Sequence, residues 1–202
     1  MRSDSFQLAR NVTVTLEHGR AFFNNFISHK YLMTIYHLLF ETTQGNFKVE
    51  LNDVLAKNGC ERVIELVKDN FYTDIPIHRC VPGFLCQFGI SRNEVNKHWH
   101  NNYILDDKNI NVSVEKYCIC FAGAAPNTRS TQLFIPFRRL GWLGKQPWET
   151  PFGKVIEGKD VIDLFQEKNI DLNQSELFDS LERTEYNVEY IIKCSITSWY
   201  EP

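Results

Sequence analysis

The chain has 202 residues, 43% of them apolar and 15 of them Phe, which suffices for a sizeable core in one domain with an extension or in two small ones. Its formal net charge of −3 gives no global pull toward nucleic acid or an anionic membrane surface, so nucleic-acid binding is not expected as the main activity. No stretch of about 18 uninterrupted apolar residues is present, so no transmembrane helix is expected.

Residues 1–34 read as an N-terminal extension that serves docking or targeting. They lack the compact apolar run and small-residue cleavage site of a secretory signal. Arg2, Arg10 and Arg20 among Ser and Thr fit a mitochondrial presequence, whereas Asp4 and Glu17 do not. Residues 12–16 suit a short strand, and residues 21–27 a helical turn or a docking segment.

From residue 35 onward the chain reads as one mainly-β domain, 35–202. Residues 36–42 and 46–51 are strand-like runs around a Thr43-Gln44-Gly45 hairpin signal. A helix is predicted over about 57–69, with Cys60, Val63, Ile64 and Val67 at i, i+3, i+4, i+7 on its inner face. Lys57, Glu61, Glu65 and Lys68 make its solvated side. Residues 91–109 are polar and read as a long loop. Residues 117–121 and 132–135 are compact strand candidates. Residues 152–155 precede a second helix over about 160–168, where Val161, Leu164 and Phe165 line one side. Residues 170–187 are acidic and irregular. In the last strand Val188, Tyr190, Ile192, Cys194 and Ile196 alternate with more polar neighbours. Many short strands with two helices suggest a β-barrel with helical plugs.

Two blocks carry the chemistry. Residues 78–89 read His-Arg-Cys-Val-Pro-Gly-Phe-Leu-Cys-Gln-Phe-Gly, and residues 121–135 read Phe-Ala-Gly-Ala-Ala-Pro-Asn-Thr-Arg-Ser-Thr-Gln-Leu-Phe-Ile. They combine one cation, Arg79, with Phe84, Gln87, Gln132 and Phe134, the last two on one face of a strand. A cation, apolar rings and neutral amides, without a strong nucleophile, suit twisting a bond better than breaking one. The six cysteines, Cys60, Cys80, Cys86, Cys118, Cys120 and Cys194, show no Cys-x-x-Cys spacing and so no zinc or thioredoxin-like signal. Most sit in apolar runs, as structural thiols of a reducing intracellular compartment do: the cytoplasm is favoured and the mitochondrion is the alternative.

Arg-x-x-Pro-Gly-Phe-x-x-Gln and Pro-Asn-Thr-x-x-x-Gln-x-Phe-Ile, followed by Trp142-Leu143 and Phe152-Gly-Lys-Val155, resemble the cyclophilin-type peptidyl-prolyl cis-trans isomerases over roughly residues 35–197. Gln87-Phe88-Gly89-Ile90 marks a divergent branch. The resemblance implies an eight-stranded antiparallel barrel capped by two α-helices. It implies a groove that binds proline-containing peptides or protein segments and needs no cofactor or metal. Arg79 is then the donor to the twisted amide nitrogen. Phe84, Leu85, Phe134 and Leu143 wall the proline pocket, and Gln87 holds Arg79 and the substrate carbonyl in register. Ala122, Gly123 and Gln132 line the groove before the proline. Trp142 is the rim tryptophan that in the family also contacts cyclosporin.

There are departures from the family pattern. Gly123 stands where Asn is common, Ala125 where Gly precedes the proline, and Thr131 where Ser is usual. Residues 144–151 form a longer connection without the usual pocket histidine, and Trp148 or Glu149 is expected in that space. Glu149 beside Arg79 would compete for the guanidinium. Plainer readings also exist. Arg79 can be a paired structural cation, and His78 a satisfied strand histidine. His98 and His100, at i, i+2 without a third ligand, make a poor metal site. Asp106-Asp107 sit in a polar loop, and Arg138-Arg139 read as solvated surface. Besides an active isomerase, two functions fit: a non-catalytic cyclophilin-fold subunit recruited into a larger assembly through residues 1–34, and a proline-peptide reader without turnover.

Overall fold

A computed structural model describes residues 5–8, 12–17, 20–23, 35–108, 111–173 and 188–200; of the first three stretches, of residue 35 and of residues 198–200, the backbone alone is described. The chain divides into two compact units, Met1–Leu32 and Met33–Pro202.

In the first unit β1 (Ser5–Leu8), β2 (Val12–Glu17) and β3 (Arg20–Phe23) form an antiparallel sheet in that order. The strand expected at 12–16 lies within β2. Residues 21–23, read from sequence as part of a helical turn or a docking segment, are strand, with Ala21 opposite Leu16 and Phe23 opposite Val14. Residues 24–27 lie outside the described residues.

The second unit opens with a hairpin, β4 (Ile35–Thr42) and β5 (Gly45–Leu51), around the Thr43-Gln44 turn. Helix α1 (Lys57–Lys68) follows, then β6 (Ile75–Pro76), β7 (Arg79–Val81) and β8 (Leu85–Phe88). Residues 91–109, expected as loop, contain a 3₁₀ turn and a single-turn helix, α2 (Lys97–His100). Then come β9 (Cys118–Phe121), β10 (Leu133–Pro136), β11 (Gly153–Glu157), α3 (Lys159–Phe165), β12 (Ile170–Asp171) and β13 (Tyr190–Tyr200). One antiparallel sheet runs β12-β7-β8-β10-β9-β11-β5-β4-β13-β6. Its ten strands exceed the eight expected because both edges carry a two-residue strand, β12 and β6.

The core lies between this sheet and the inner faces of α1 and α3. Phe40 and Phe47 stack at 4.8 Å, and Phe40, Tyr72 and Phe88 meet edge to face around them. The Tyr72 hydroxyl, fully buried, donates to the Thr131 carbonyl at 2.9 Å.

Three periodicity readings shift in register. On α1 the buried stripe is Cys60, Val63, Leu66 and Val67, with Ile64 only half-buried. On α3 Ile162 is buried and Leu164 is 40% exposed, so the apolar face is Val161, Ile162 and Phe165. On β13 Ile191 is buried and Ile192 is 51% exposed, the reverse of the alternation. The cause is a β-bulge: Ile191 faces Thr42 and Lys193 faces Glu41, so one extra residue sits between adjacent partners and flips the face. Of the acidic segment 170–187, residues 174–187 lie outside the described residues. Its base is clasped by a part-buried knot in which Lys168, Thr43 and Gln44 all bind the Glu189 carboxylate.

Candidate active site

The strand register builds the site. Asp171 lies opposite Arg79, Arg79 opposite Gln87, Gln87 opposite Phe134, and Phe134 opposite Cys120. Residues directly opposite each other in an antiparallel sheet share a face, so one transverse row across β12, β7, β8, β10 and β9 presents acid, guanidinium, amide and ring in line. The alternate positions turn inward: Cys86, Phe88, Leu133, Ile135, Ile119 and Phe121 belong to the main core. Leu85, Cys120 and Phe134 form a second apolar cluster on the opposite face, with Phe84, Ala122 and Leu143 packed against it.

Above this face is a hollow of about 360 Å³, lined by Leu85, Gln87, Phe121, Ala122, Gly123, Ala124, Gln132, Phe134, Leu143 and Glu149. Seven of the ten residues named from sequence are in that lining. A neighbouring hollow of about 610 Å³ shares Ala122, Ala124 and Gln132 with it and extends to Lys97, His100 and Tyr103. The Gln87 side-chain amide donates to Gln132 Oε1 at 2.8 Å, so two neutral amides are locked together along the wall.

The other three named residues, Arg79, Phe84 and Trp142, flank the hollow as a stack. The Arg79 guanidinium lies over the Phe84 ring at 5.6 Å, and Phe84 stacks on Trp142 at 6.2 Å with planes 29° apart. Trp142 is 52% exposed. Arg138 lies over the Trp142 ring at 5.3 Å and its Nε donates to the Gly83 carbonyl. Arg138 is exposed, as a solvated-surface residue is, and it also braces Trp142. The Arg79 side chain is about one-third exposed and forms an ion pair, Nε to Asp171 Oδ1, at 3.0 Å.

Glu149 is not the competitor for Arg79. Its carboxylate accepts from the backbone N–H groups of Lys145 and Gln146 at 3.0 and 3.1 Å, which ties it to its own loop. The carboxylate that meets Arg79 is Asp171. Of the two residues expected in the space of the missing histidine, Glu149 lines the hollow and Trp148 backs Gly123. A Cβ on Gly123 would stand 3.2 Å from Trp148 Cβ and 3.1 Å from Arg129 Cγ, so glycine here makes room for the tryptophan. Gly89, at φ +107°, lets β8 end against β10: a Cβ would stand 2.4 Å from the Thr131 carbonyl oxygen.

Arg129, an unspecified position inside the second motif, is a residue that sequence reasoning missed. It is fully buried and pairs with Asp106 at 3.3 Å and Asp107 at 3.0 Å, and its Nη2 donates to the Leu105 carbonyl at 2.7 Å. Asp107 also accepts from the Asn58 and Gly59 amides at 2.7 and 3.1 Å, capping the first turn of α1 from a distant loop. Asp107 is thus a buried counter-ion and not a solvated loop residue. The only signals available were a lone Arg and an Asp pair in separate polar stretches, with no spacing to join them.

His78 is buried, and among the described residues its Nδ1 has no hydrogen-bond partner, so it is not the fully satisfied strand histidine expected. Burial, and then the adjacent Arg79 charge, push its pKa down to about 4. The folded state therefore binds fewer protons than the unfolded chain between about pH 6.5 and pH 4, and stability falls as pH falls through that window. When the imidazole is fully protonated the difference is worth about 3 kcal/mol. Denaturant titrations of wild type and His78→Leu across this range should diverge, with the variant losing less. Parallel curves would show that the buried ring protonates freely.

All six cysteines are free thiols, and five are buried. Burial pushes Cys80 up to about 12 and the other five upward as well, so none is a nucleophile for the groove. The His98 ring meets the Val95 carbonyl at 2.9 Å and the His100 ring meets the Ser91 carbonyl at 3.2 Å, so both serve the α2 region. Among the described residues no group of three or more His, Cys, Asp or Glu could hold a metal, and no helix is long and apolar enough to cross a membrane.

A family model described as "Cyclophilin type peptidyl-prolyl cis-trans isomerase/CLD" matches residues 37–193. The chain belongs to this family. It is similar to "Peptidyl-prolyl cis-trans isomerase-like 1" of Aspergillus niger, 29% identical over 127 residues, which spans 61% of this chain and 76% of that protein. A Rhizopus delemar peptidyl-prolyl cis-trans isomerase is 24% identical over 144 residues, covering 70% of this chain but 22% of its own length. A Cryptosporidium parvum cyclophilin-type isomerase crystal structure superposes with a TM-score of 0.62 at 19% identity, covering 81% of this chain and 98% of that one. The structure of the same protein in the presence of the dipeptide Ala-Pro also gives 0.62, at 20% identity and 80% and 99% coverage. At these identities the structural likeness speaks to the fold: mainly β, cyclophilin-like. As a cyclophilin-type isomerase, the chain acts on X–Pro peptide bonds.

Proposed function

We infer that the cyclophilin groove of this chain accelerates cis–trans exchange at X–Pro bonds of proline-containing peptides and protein segments, with Arg79 as the catalytic donor. Amide resonance sets a rotation barrier of ~18–20 kcal/mol, so uncatalysed exchange at X–Pro bonds takes tens to hundreds of seconds. At the top of the barrier the C–N bond is twisted and the nitrogen regains its lone pair. A donor aimed at that nitrogen gains a partner only in the twisted state, which is differential binding of the transition state. Arginine suits the task because it is always charged and presents a rigid fork of N–H groups. In this reading Phe134, Leu85 and Leu143 receive the pyrrolidine ring, and the Gln87–Gln132 pair fixes the flanking carbonyl groups. Phe84 and Trp142 close the side on which Arg79 sits.

The single observation that carries this is the register row Arg79–Gln87–Phe134 running past the apolar hollow. NMR exchange spectroscopy on a proline peptide tests it: wild type should speed exchange and Arg79→Ala should not. Equal rates for the two refute catalysis at this site.

A second reading concerns residues 1–34. The unit Met1–Leu32 carries a three-stranded sheet of its own, which supports its use as a docking element for a larger assembly. Removal of residues 1–34 should leave peptide exchange intact and abolish co-purification with partner proteins. Unchanged association would exclude this role.

A further inference from the structure

The register row that builds the groove does not stop at Arg79. It continues one strand further, to Asp171 on β12. The resemblance to the family assigns the holding of Arg79 to Gln87, yet the Gln87 amide is committed to Gln132 at 2.8 Å. The group that meets the guanidinium is the Asp171 carboxylate, 3.0 Å from Arg79 Nε. We propose that Asp171 is the positioning residue of this isomerase: it takes over from Gln87 the task of orienting the catalytic guanidinium. The proposal rests on the assignment of Arg79 as the donor to the twisted amide.

Three observations support a positioning role over simple neutralisation. The contact is made at Nε, the guanidinium nitrogen nearest the chain, which restrains the plane of the fork from its inner edge. The guanidinium at the same time lies over Phe84 at 5.6 Å, on the groove side, so the ion pair does not draw it away from the site. An edge contact and a ring beneath together define the orientation of a planar, rotamer-rich side chain before substrate arrives, and a preorganised donor needs no reorganisation at the moment of reaction.

The third observation is that Asp171 is itself held by backbone. β12 pairs with β7 through Ile170 and Asp171, and the Leu172 amide donates to the His78 carbonyl at 2.9 Å. The ends of the segment that carries it are drawn together by the part-buried Lys168–Glu189 ion pair. A carboxylate on a free loop would be a poor reference point for a guanidinium. One fixed in a strand, in register with its partner, is a good one. The acidic insert thus contributes a working part to the groove through its first residues.

The test uses the full chain with Asp171→Ala and Asp171→Asn, read by NMR peptide exchange over a range of peptide concentrations. Asp171→Ala should lower kcat about tenfold with little change in KM, because the walls that bind peptide are untouched. Asp171→Asn, which keeps an acceptor oxygen at the same reach, should recover most of the rate. The ¹⁵N–¹H resonance of Arg79 Nε should be shifted and protected in wild type and lose both properties in Asp171→Ala. The double variant Arg79→Ala/Asp171→Ala should be no slower than Arg79→Ala, as expected for residues acting as one unit. An Asp171→Ala protein at wild-type or higher kcat, with Arg79→Ala slow, overturns the proposal alone; a higher rate would mean that the carboxylate competes with substrate. Equal rates for wild type and Arg79→Ala overturn the assignment of the site itself.

Discussion

Replacing Arg79 by alanine should lower kcat/KM for a proline peptide about 10²–10³-fold, the usual cost of deleting one transition-state donor, or about 3–4 kcal/mol. The fold should not suffer. Arg79 sits on a three-residue strand near one edge of the sheet with its side chain about one-third exposed, and its only described ion pair is with the surface carboxylate of Asp171. A surface pair of this kind contributes at most about 1 kcal/mol. Circular dichroism and the denaturation midpoint should therefore stay close to wild type while exchange collapses. Arg79→Lys separates charge from geometry. It keeps the positive charge but loses the planar fork, so an intermediate rate is expected. A lysine variant as fast as wild type would mean that the field of the cation suffices, and a loss below tenfold in the alanine variant would assign the catalysis to the apolar walls.

The largest stability effect is expected at Arg129. Arg129→Met removes the cation between Asp106 and Asp107 and leaves the Asp107 carboxylate, 4% exposed, without its ion-pair partner. Breaking a buried pair from one side costs about 3–5 kcal/mol, because the remaining charge stays desolvated. For a domain of this size that is a fall in Tm of roughly 10 °C. Asp107 also caps α1 through the Asn58 and Gly59 amides, so the N-terminal turn of α1 should show the first loss of hydrogen-exchange protection. The double variant Arg129→Met/Asp107→Asn should recover part of the loss, since it removes the orphaned charge. A single-variant cost below about 1 kcal/mol would show that water reaches the site. Arg129 lies over the Phe121 ring at 5.9 Å and against Gly123, so the proline hollow should distort as well, raising KM.

The groove was legible because its chemistry is written in short, contiguous motifs. Arg79, Phe84 and Gln87 stand within nine residues of one another, in a motif that resembles the family's, and Gln132 and Phe134 stand within three, where strand periodicity puts both on one face. What stayed hidden were partners far apart in sequence and lying in stretches without periodicity. Asp171 sits in an acidic, irregular segment 92 residues after Arg79 (171 − 79), and no spacing rule connects the two. Arg129 and Asp107 are 22 residues apart, each in a polar loop that composition assigns to solvent. Glu149 was suspected on proximity to the pocket, but a carboxylate three residues from a free backbone amide bonds its own turn first. The bulge at Ile192 and the rotation of α3 escaped for a related reason. Both are fixed by what lies across the sheet, which periodicity within one segment does not encode.

Local patterning in this chain thus points to the mainly-β architecture and the principal helix, and the family resemblance of its motifs supplies the inventory of the candidate groove: one guanidinium, apolar rings and neutral amides. Tertiary structure alone decided how that guanidinium is held. Hydrogen-bonded strand pairing set Asp171 opposite Arg79 and Gln87 within reach of Gln132, and desolvation turned an unremarked arginine and an aspartate pair into a buried ion network behind the pocket wall. Burial and register are collective properties of the folded sheet, so the charges whose consequences depend on them could be assigned only once the sheet was assembled.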